Sequence, residues 1–341
     1  MPTDSTTRKV LFVSTPSGYE LPVIDVTHPI FKMDDSAPAV ESLRREFAAQ
    51  EEQRKRMPKW LMRLFMRWIM SRSLLGQALL RPSSPVLDGL NTYVFKLPAK
   101  ILPPQFDDDF NRRLASSPAG KSMALRVQQM ARLIVKGLRP HLAAQPDAPL
   151  YLINIAGGSA IDSLNALILL RAEDAQLLRR QIVLHILDPD ERAPLFGRDA
   201  LAALSAPGEA LAGLSVQWIH DTYDWNDTKP LGALIGTLAK QRTIVAASSE
   251  GGLFEYGSDA AIVANLKVLH AEGHGACAIA GSVTRADALT RGTLALSLFK
   301  LIPRGVDGFA TLIRDSGYKV AEVAPGLMGD QVLLLPREIS S

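Results

Sequence analysis

From about residue 150 to 300 the chain repeats one texture: a short β-prone apolar run, a turn, then a helical stretch. The apolar runs are YLINIA at 151–156, IVLHILD at 182–188, SVQWIH at 215–220, TIVAAS at 243–248 and ACAIAGSV at 276–283. Helical patterns follow at about 160–180, briefly after 188, at about 258–271 and at about 285–300. Strands separated by helices must run parallel, because each crossover returns the chain to the same edge. The tail breaks the pattern. A helix near 306–316 leads through Gly317 into a strand at 318–323, a Pro-Gly turn and a second strand at 331–335. Two strands joined by a turn make an antiparallel pair. The expected fold is α/β: a doubly wound, mostly parallel sheet with a C-terminal antiparallel hairpin, preceded by a mainly helical N-terminal part.

That N-terminal part reads as weakly stranded over 1–35 (Val10–Val13 and Leu21–Val26), then helical. Helices are expected at about 37–56, 59–80 and 119–143, the last carrying Met123, Val127, Met130, Ile134 and Leu138 at helical spacing. Residues 81–106 hold five prolines and an apolar patch at Leu90–Leu97, and read as a connecting segment. PDAP at 146–149 reads as a linker. The expected division is a helical cap or oligomerisation region at 1–147 and an α/β domain at 148–341. Charge divides in the same place. Residues 1–145 hold 22 Lys/Arg against 13 Asp/Glu, and the remainder 16 against 22. This suggests separate roles or an electrostatic contact between the two parts.

Composition excludes several classes. At 47% hydrophobic and 21% charged residues the chain can bury a large core. One cysteine, Cys277, excludes an intrachain disulfide and a cysteine zinc cluster, which points to a reducing, cytoplasmic setting. The six histidines show no metal-ligand spacing, so no metal is expected. The N-terminus has no apolar run of signal-peptide length. The lipophilic stretch Trp60–Leu80 carries Arg63, Arg67 and Arg72, too much charge for a plain membrane span.

The chemistry concentrates at strand ends. The first ends in Asn154-Ile155-Ala156-Gly157-Gly158-Ser159-Ala160, small residues that let a ligand approach the backbone before a helix N-terminus. A dinucleotide fingerprint counted from Ala156 would need glycine where Ile161 stands, which disfavours NAD. The spacing instead resembles the first motif of class I S-adenosylmethionine-dependent methyltransferases, acidic-x-Gly-x-Gly-x-Gly. Asn154, Ala156, Gly158 and Ala160 fall on its four positions, with three of the four substituted. The order of elements and the terminal hairpin extend the likeness over about 150–337.

The resemblance implies S-adenosylmethionine as cofactor and roles for particular residues. Asn154, Ala156, Gly157 and Gly158 would form the cofactor turn, with Asp162 near the ligand's ammonium or on the helix dipole. Asp188 would accept from the ribose hydroxyls, or cap the helix after Pro189. Asp221 would meet the adenine amino group, or be one acid of a solvated loop. Tyr223 and Trp225 would stack on adenine or belong to the core. The segment Ser248-Ser249-Glu250-Gly251-Gly252-Leu253-Phe254-Glu255-Tyr256-Gly257 would face the transferring methyl, with Ser249 on the cofactor and Glu250, Glu255 and Tyr256 supplying a base or an acceptor anchor, Glu250 foremost; otherwise it is a tight loop with Glu255 exposed and Phe254 in the core. His220 is a further candidate base, or a structural histidine. The methyl acceptor would be an oxygen or nitrogen of a small molecule. The layout also resembles two-part small-molecule O-methyltransferases whose N-terminal part dimerises, although their histidine base has no recognisable counterpart.

From Arg54 to Arg72 the chain has seven basic residues and no acid, with Lys59, Arg63 and Arg67 on one stripe. This stretch would lie on an anionic membrane surface, pack on a partner or second subunit, or cap the strand ends and line the acceptor pocket. Nucleic acid is not expected, because the catalytic-side half is acidic. The competing reading is a non-catalytic methyltransferase fold that acts as an interaction protein through the basic part. A third is different chemistry on the same cofactor.

Overall fold

A computed structural model describes residues 8–55, 70–80, 89–270, 275–294 and 300–337, with 58, 64, 67 and 68 as single positions. Most of the basic stretch 54–72 lies outside these residues; of the helix expected at 59–80, Leu74–Leu80 is helical and the positions 59–63, 65, 66 and 69 lie outside them.

Seven strands form one sheet: β3 (Leu150–Ile155), β4 (Ile182–Leu187), β5 (Val216–Asp221), β6 (Ile244–Ser249), β7 (Ala278–Thr284), β8 (Tyr318–Ala324) and β9 (Gly329–Pro336). Their order is β5-β4-β3-β6-β7-β9-β8. The pairs β5–β4, β4–β3, β3–β6 and β6–β7 are parallel, and β9 lies antiparallel to both β7 and β8. Chain direction across the sheet reverses its winding between β3 and β6, the place where a crevice opens at the strands' carboxyl ends in such sheets. A small antiparallel pair, β1 (Phe12–Ser14) and β2 (Glu20–Pro22), stands apart.

Alternation along each strand builds two cores. Leu150, Leu152, Leu184, Ile186, Ala246, Ala280 and Leu333 face the helices Pro118–Ala144, Ile161–Glu173 and Arg192–Leu204. Tyr151, Ile153, Val183, Val245, Ile279 and Val332 face Lys229–Lys240, Asp259–His270 and Gly305–Leu312. Two sequence expectations change here. The helix Lys229–Lys240 was not anticipated; Gly232 and Gly236 dilute its apolar stripe, and Pro230 marks its first turn. The proline-rich 81–106 segment is more than a connection. Its residues Gly89–Val94 form a helix, and Tyr93, Val94 and Leu97 are fully buried.

The expected boundary at 147/148 divides the chain but not the core. Leu21, Tyr93, Val127, Met130 and Leu138 share one cluster with Leu150, Leu164 and Leu184. The 27-residue helix Pro118–Ala144 is itself a layer of the sheet domain, capped by Ser117, whose Oγ accepts from the Gly120 N–H at 3.2 Å. The segment 22–26 is stitched to both parts. Tyr93 Oη accepts from the Ile24 N–H (2.9 Å) and donates to the Pro22 carbonyl (2.8 Å). Asn165 Oδ1 accepts from the Val26 N–H (2.8 Å), and its Nδ2 donates to the Ile24 carbonyl (2.9 Å).

Among the described residues no helix is long and apolar enough to cross a membrane. Nor do three or more His, Cys, Asp or Glu converge there as a metal site would need.

Candidate functional site

The turn after β3 is held in an unusual backbone. Ala156, Gly158 and Ala160 all have positive φ, at 53°, 60° and 48°. For the two alanines this costs on the order of 1–2 kcal/mol each. Asn154 organises the turn. Its Oδ1 accepts from the Gly157 N–H at 2.9 Å, and its Nδ2 donates to Asp162 Oδ1 and Ser248 Oγ, each at 3.0 Å. An amide can do both, whereas a carboxylate at 154 could donate to neither. A Cβ at Gly157 would meet Asn154 Oδ1 at 2.3 Å, so only glycine admits this bond.

Asp162 is fully buried, and among the described residues its Oδ2 has no hydrogen-bond partner. Burial, reinforced by the charge of Glu250, pushes its carboxyl up to about 6. A buried, unanswered acceptor in a crevice is the feature that a ligand's donor would satisfy.

Asp188, at the end of β4, is 7% exposed. Its Oδ2 accepts from the Gly158 N–H (3.0 Å) and its Oδ1 from the Asp190 N–H (2.9 Å). Burial raises its pKa. It therefore braces the glycine turn and starts the next one; the helix Arg192–Leu204 has Glu191 at its N-cap, with no side-chain cap. His220 Nε2 meets the Asp188 backbone carbonyl at 3.0 Å, a structural placement rather than that of a base. Asp221 points the other way. Its Oδ2 meets His185 Nε2 at 2.8 Å, and the Nδ1 of that ring meets Tyr151 Oη at 2.9 Å. Tyr223 belongs to the core, its hydroxyl donating to Asn265 Oδ1 at 2.6 Å. Trp225 is half-buried against the same core. The side chain of Asp221 thus pairs with His185, and Trp225 packs on the core that Ala156 also joins.

The loop after β6 closes on that cluster. Ser249 Oγ accepts from the Leu253 N–H at 2.9 Å. A Cβ on Gly252 would meet the Ala156 carbonyl oxygen at 2.7 Å and the Ala156 Cβ at 2.9 Å, so the two loops touch. Glu250 has no exposed side-chain surface and is doubly paired, with Lys96 Nζ on one oxygen and Arg126 Nε on the other at 2.6 Å. Burial alone would raise its pKa, but Lys96 and Arg126 outweigh burial and hold it below the usual carboxylate range. A carboxylate so stabilised is a poor proton acceptor, and this corrects the expectation of a base at 250. Glu255 is the opposite case. Burial raises its carboxyl despite Arg126 Nη1 at 3.3 Å, and Thr284 Oγ1 donates to its other oxygen at 3.3 Å.

Glu255 and Tyr256 open onto a cavity of about 300 Å³. Its apolar lining includes Phe95, Leu114, Met123, Leu301 and Met328, and its polar lining includes Arg126, Ser122 and Gln331. The bonds of Arg126 to Glu250 and Glu255 use Nε and Nη1; Nη2 lies beside Gly251 at the cavity wall. Burial and the neighbouring Glu255 raise the Tyr256 phenol, which keeps it a donor.

Sequence reasoning missed Lys96 and Arg126. The signal was present. Arg126 sits three residues after Met123 and four before Met130, a cation inside an apolar stripe, and Lys96 interrupts the apolar run Tyr93–Leu97. Charges at such positions need buried partners.

Chains of solved structure share this architecture. A possible exported protein from Bordetella parapertussis superposes at a TM-score of 0.50, with 15% identity over 91% of this chain and 99% of its own. At this level of identity the likeness is one of fold. Also similar are human N-acetylserotonin methyltransferase (TM-score 0.37, 11% identity, 77% of this chain and 70% of that one) and an aminoriboflavin dimethyltransferase from Streptomyces davawensis (0.39, 13%, 91% and 72%). No protein-family model and no curated protein matches the sequence.

Proposed function

We propose that this chain transfers a methyl group from S-adenosylmethionine to an oxygen or nitrogen of a small amphipathic molecule held in the cavity. The observation that carries the reading is the junction of two features at the carboxyl ends of β3, β6 and β7. One is a buried polar cluster around the carboxylate of Asp162, whose Oδ2 has no hydrogen-bond partner among the described residues; the other is an apolar cavity large enough for a small organic ligand.

The donor set suits the cofactor. Asp162 Oδ2 would accept from its ammonium group, with Asn154 fixing that carboxylate. Asp188 would receive the ribose hydroxyls beside the Gly158 N–H it already accepts from, with Ser249 as a further contact. When bound, S-adenosylmethionine supplies an electrophilic methyl group.

The remaining work falls to residues of this chain. The acceptor would carry an apolar body, matching Phe95, Met123 and Leu301, and one oxygen that receives hydrogen bonds from Arg126 Nη2 and the Tyr256 hydroxyl. Glu255 takes the proton from the acceptor's O–H or N–H, because its raised pKa brings it closer to neutrality than Glu250. Orientation and exclusion of water supply the rest of the rate. A non-catalytic interaction protein is the second reading, favoured by the burial of the glycine turn.

Calorimetric titration with S-adenosylmethionine, S-adenosylhomocysteine and NAD tests the cofactor, and binding of NAD alone would sink the proposal. With an acceptor found by screening, Glu255→Gln is expected to lower kcat by about 10²-fold or more and to leave sulfur-ligand binding within about twofold. An unchanged kcat would remove Glu255 from the chemistry.

A further inference from the structure

The crevice that would take the cofactor is filled by the chain itself. Gly89, the first residue of the helix Gly89–Val94, lies against the glycine turn: a Cβ on Gly158 would meet the Gly89 Cα at 3.2 Å and the Ala193 Cβ at 3.3 Å. Gly157 to Ala160 are buried as a result. At the other end of the segment Lys96 drives its ammonium onto Glu250, close enough to Asp162 to act on its charge. Between these ends, Thr92 and Phe95 wall the 300 Å³ cavity.

The segment is anchored unevenly. Tyr93, Val94 and Leu97 are fully buried, whereas residues 89–92 are half-buried. A helix of six residues has little stability of its own. At its first residue, Gly89, it meets Gly158 backbone to backbone, where neither residue has a side chain to interlock.

The charges explain why Lys96 is there. Glu250 is buried between Asp162 and Glu255 in charge as in position: Lys96 and Arg126 pair with Glu250, Arg126 also with Glu255, and the charges of Glu250 and Lys96 both act on buried Asp162. A ligand that brings its own cation makes Lys96 redundant.

We infer that residues 89–96 are a built-in plug of the crevice: the first turn covers Gly158, Lys96 holds the place of the ligand's cation, and both leave when the ligand enters. The inference rests on the cofactor reading above and adds a closed resting state to it. Ligand and plug then compete for one space, so weakening the plug strengthens binding.

Two variants weaken it differently. Lys96→Met removes the cation and keeps the length of the side chain. Gly89→Ala puts a methyl 2.5 Å from the Ala193 Cβ, which presses the turn off Gly158 and leaves the ion pairs alone. Hydrogen exchange without ligand tests the plug by itself. The Gly157 and Gly158 amide protons, held only by the Asn154 and Asp188 side chains, are expected to exchange faster than those of β3, and at least tenfold faster again in either variant. Exchange at the β3 rate in all three proteins would overturn the plug, whatever the cofactor does. Calorimetry then tests the competition. S-adenosylmethionine is expected to bind each variant at least tenfold more tightly than the native chain, with a smaller gain for S-adenosylhomocysteine in Lys96→Met, since it lacks the sulfonium charge. Weaker binding by Lys96→Met makes Lys96 a ligand contact and overturns the inference. Fast turn exchange with no sulfur ligand bound by any of the three keeps the plug and removes the cofactor reading.

Discussion

Asp162 ties the site to pH. Its carboxyl titrates at about 6 in the folded chain, against about 4 when the chain is unfolded. Between those values the native state binds the extra proton, so stability falls as pH rises through the window. Its contribution is fully present below about pH 4 and gone above about pH 6. Two units correspond to roughly 3 kcal/mol. Asp162→Asn removes the titration and keeps the shape. Urea denaturation of both proteins from pH 4 to 7 is expected to show the native chain losing about 3 kcal/mol relative to the variant, most of it before pH 6. A difference independent of pH would mean the buried oxygen finds a partner. At this scale the sequence was informative where residue type fixes geometry: Asn154, Gly157 and Asp162 all sit at the turn. For Lys96 and Arg126 it marked cations inside apolar runs but not what they meet, because the partner lies 154 and 124 residues away.

At the scale of elements, the loops after β3 and β6 behave as one unit. Gly252 abuts Ala156, and Asn154 on β3 bonds to Ser248 on β6. Gly252→Ala would set a methyl 2.7 Å from the Ala156 carbonyl oxygen, a backbone atom that cannot turn aside. The loops must separate, and Ala156 already holds an unfavourable φ of 53°. The expected cost is about 1–3 kcal/mol, together with a tenfold or larger change in ligand affinity at the crevice. A variant as stable as the native chain that binds identically falsifies this coupling. The five parallel strands and the terminal hairpin were legible because apolar runs and turn residues are local signals. Gly89–Val94 was not, because six residues among prolines carry too little periodicity, and its burial comes from tertiary contact with Gly158 and Phe196. The Lys229–Lys240 helix failed for a related reason, its two glycines diluting the pattern.

For the whole molecule, part of the charge division is answered across the fold among the described residues. Lys96 and Arg126 meet Glu250 and Glu255, Lys136 meets Glu322, and Arg139 meets Glu173, each cation from the first half and each acid from the second. The exposed pairs add little to stability. The buried ones make the halves interdependent, since losing one side leaves charges in the interior without partners, at a cost of several kcal/mol. Apolar packing reinforces this. Without residues 8–147 the face of the sheet bearing Leu150, Leu152, Ala278 and Leu333 would lose the helix Pro118–Ala144 that covers it, and Asn165 would lose the backbone of 24–26 that it binds. The fragment 148–341 is therefore expected not to fold alone, although it contains all seven strands. The full chain should melt in a single transition, with near-ultraviolet circular dichroism and calorimetry coincident, and the fragment should show no cooperative transition. A fragment that melts cooperatively within a few degrees of the full chain would restore 147/148 as a true domain boundary. It would also mean that the cationic half is added to a finished sheet rather than built into it.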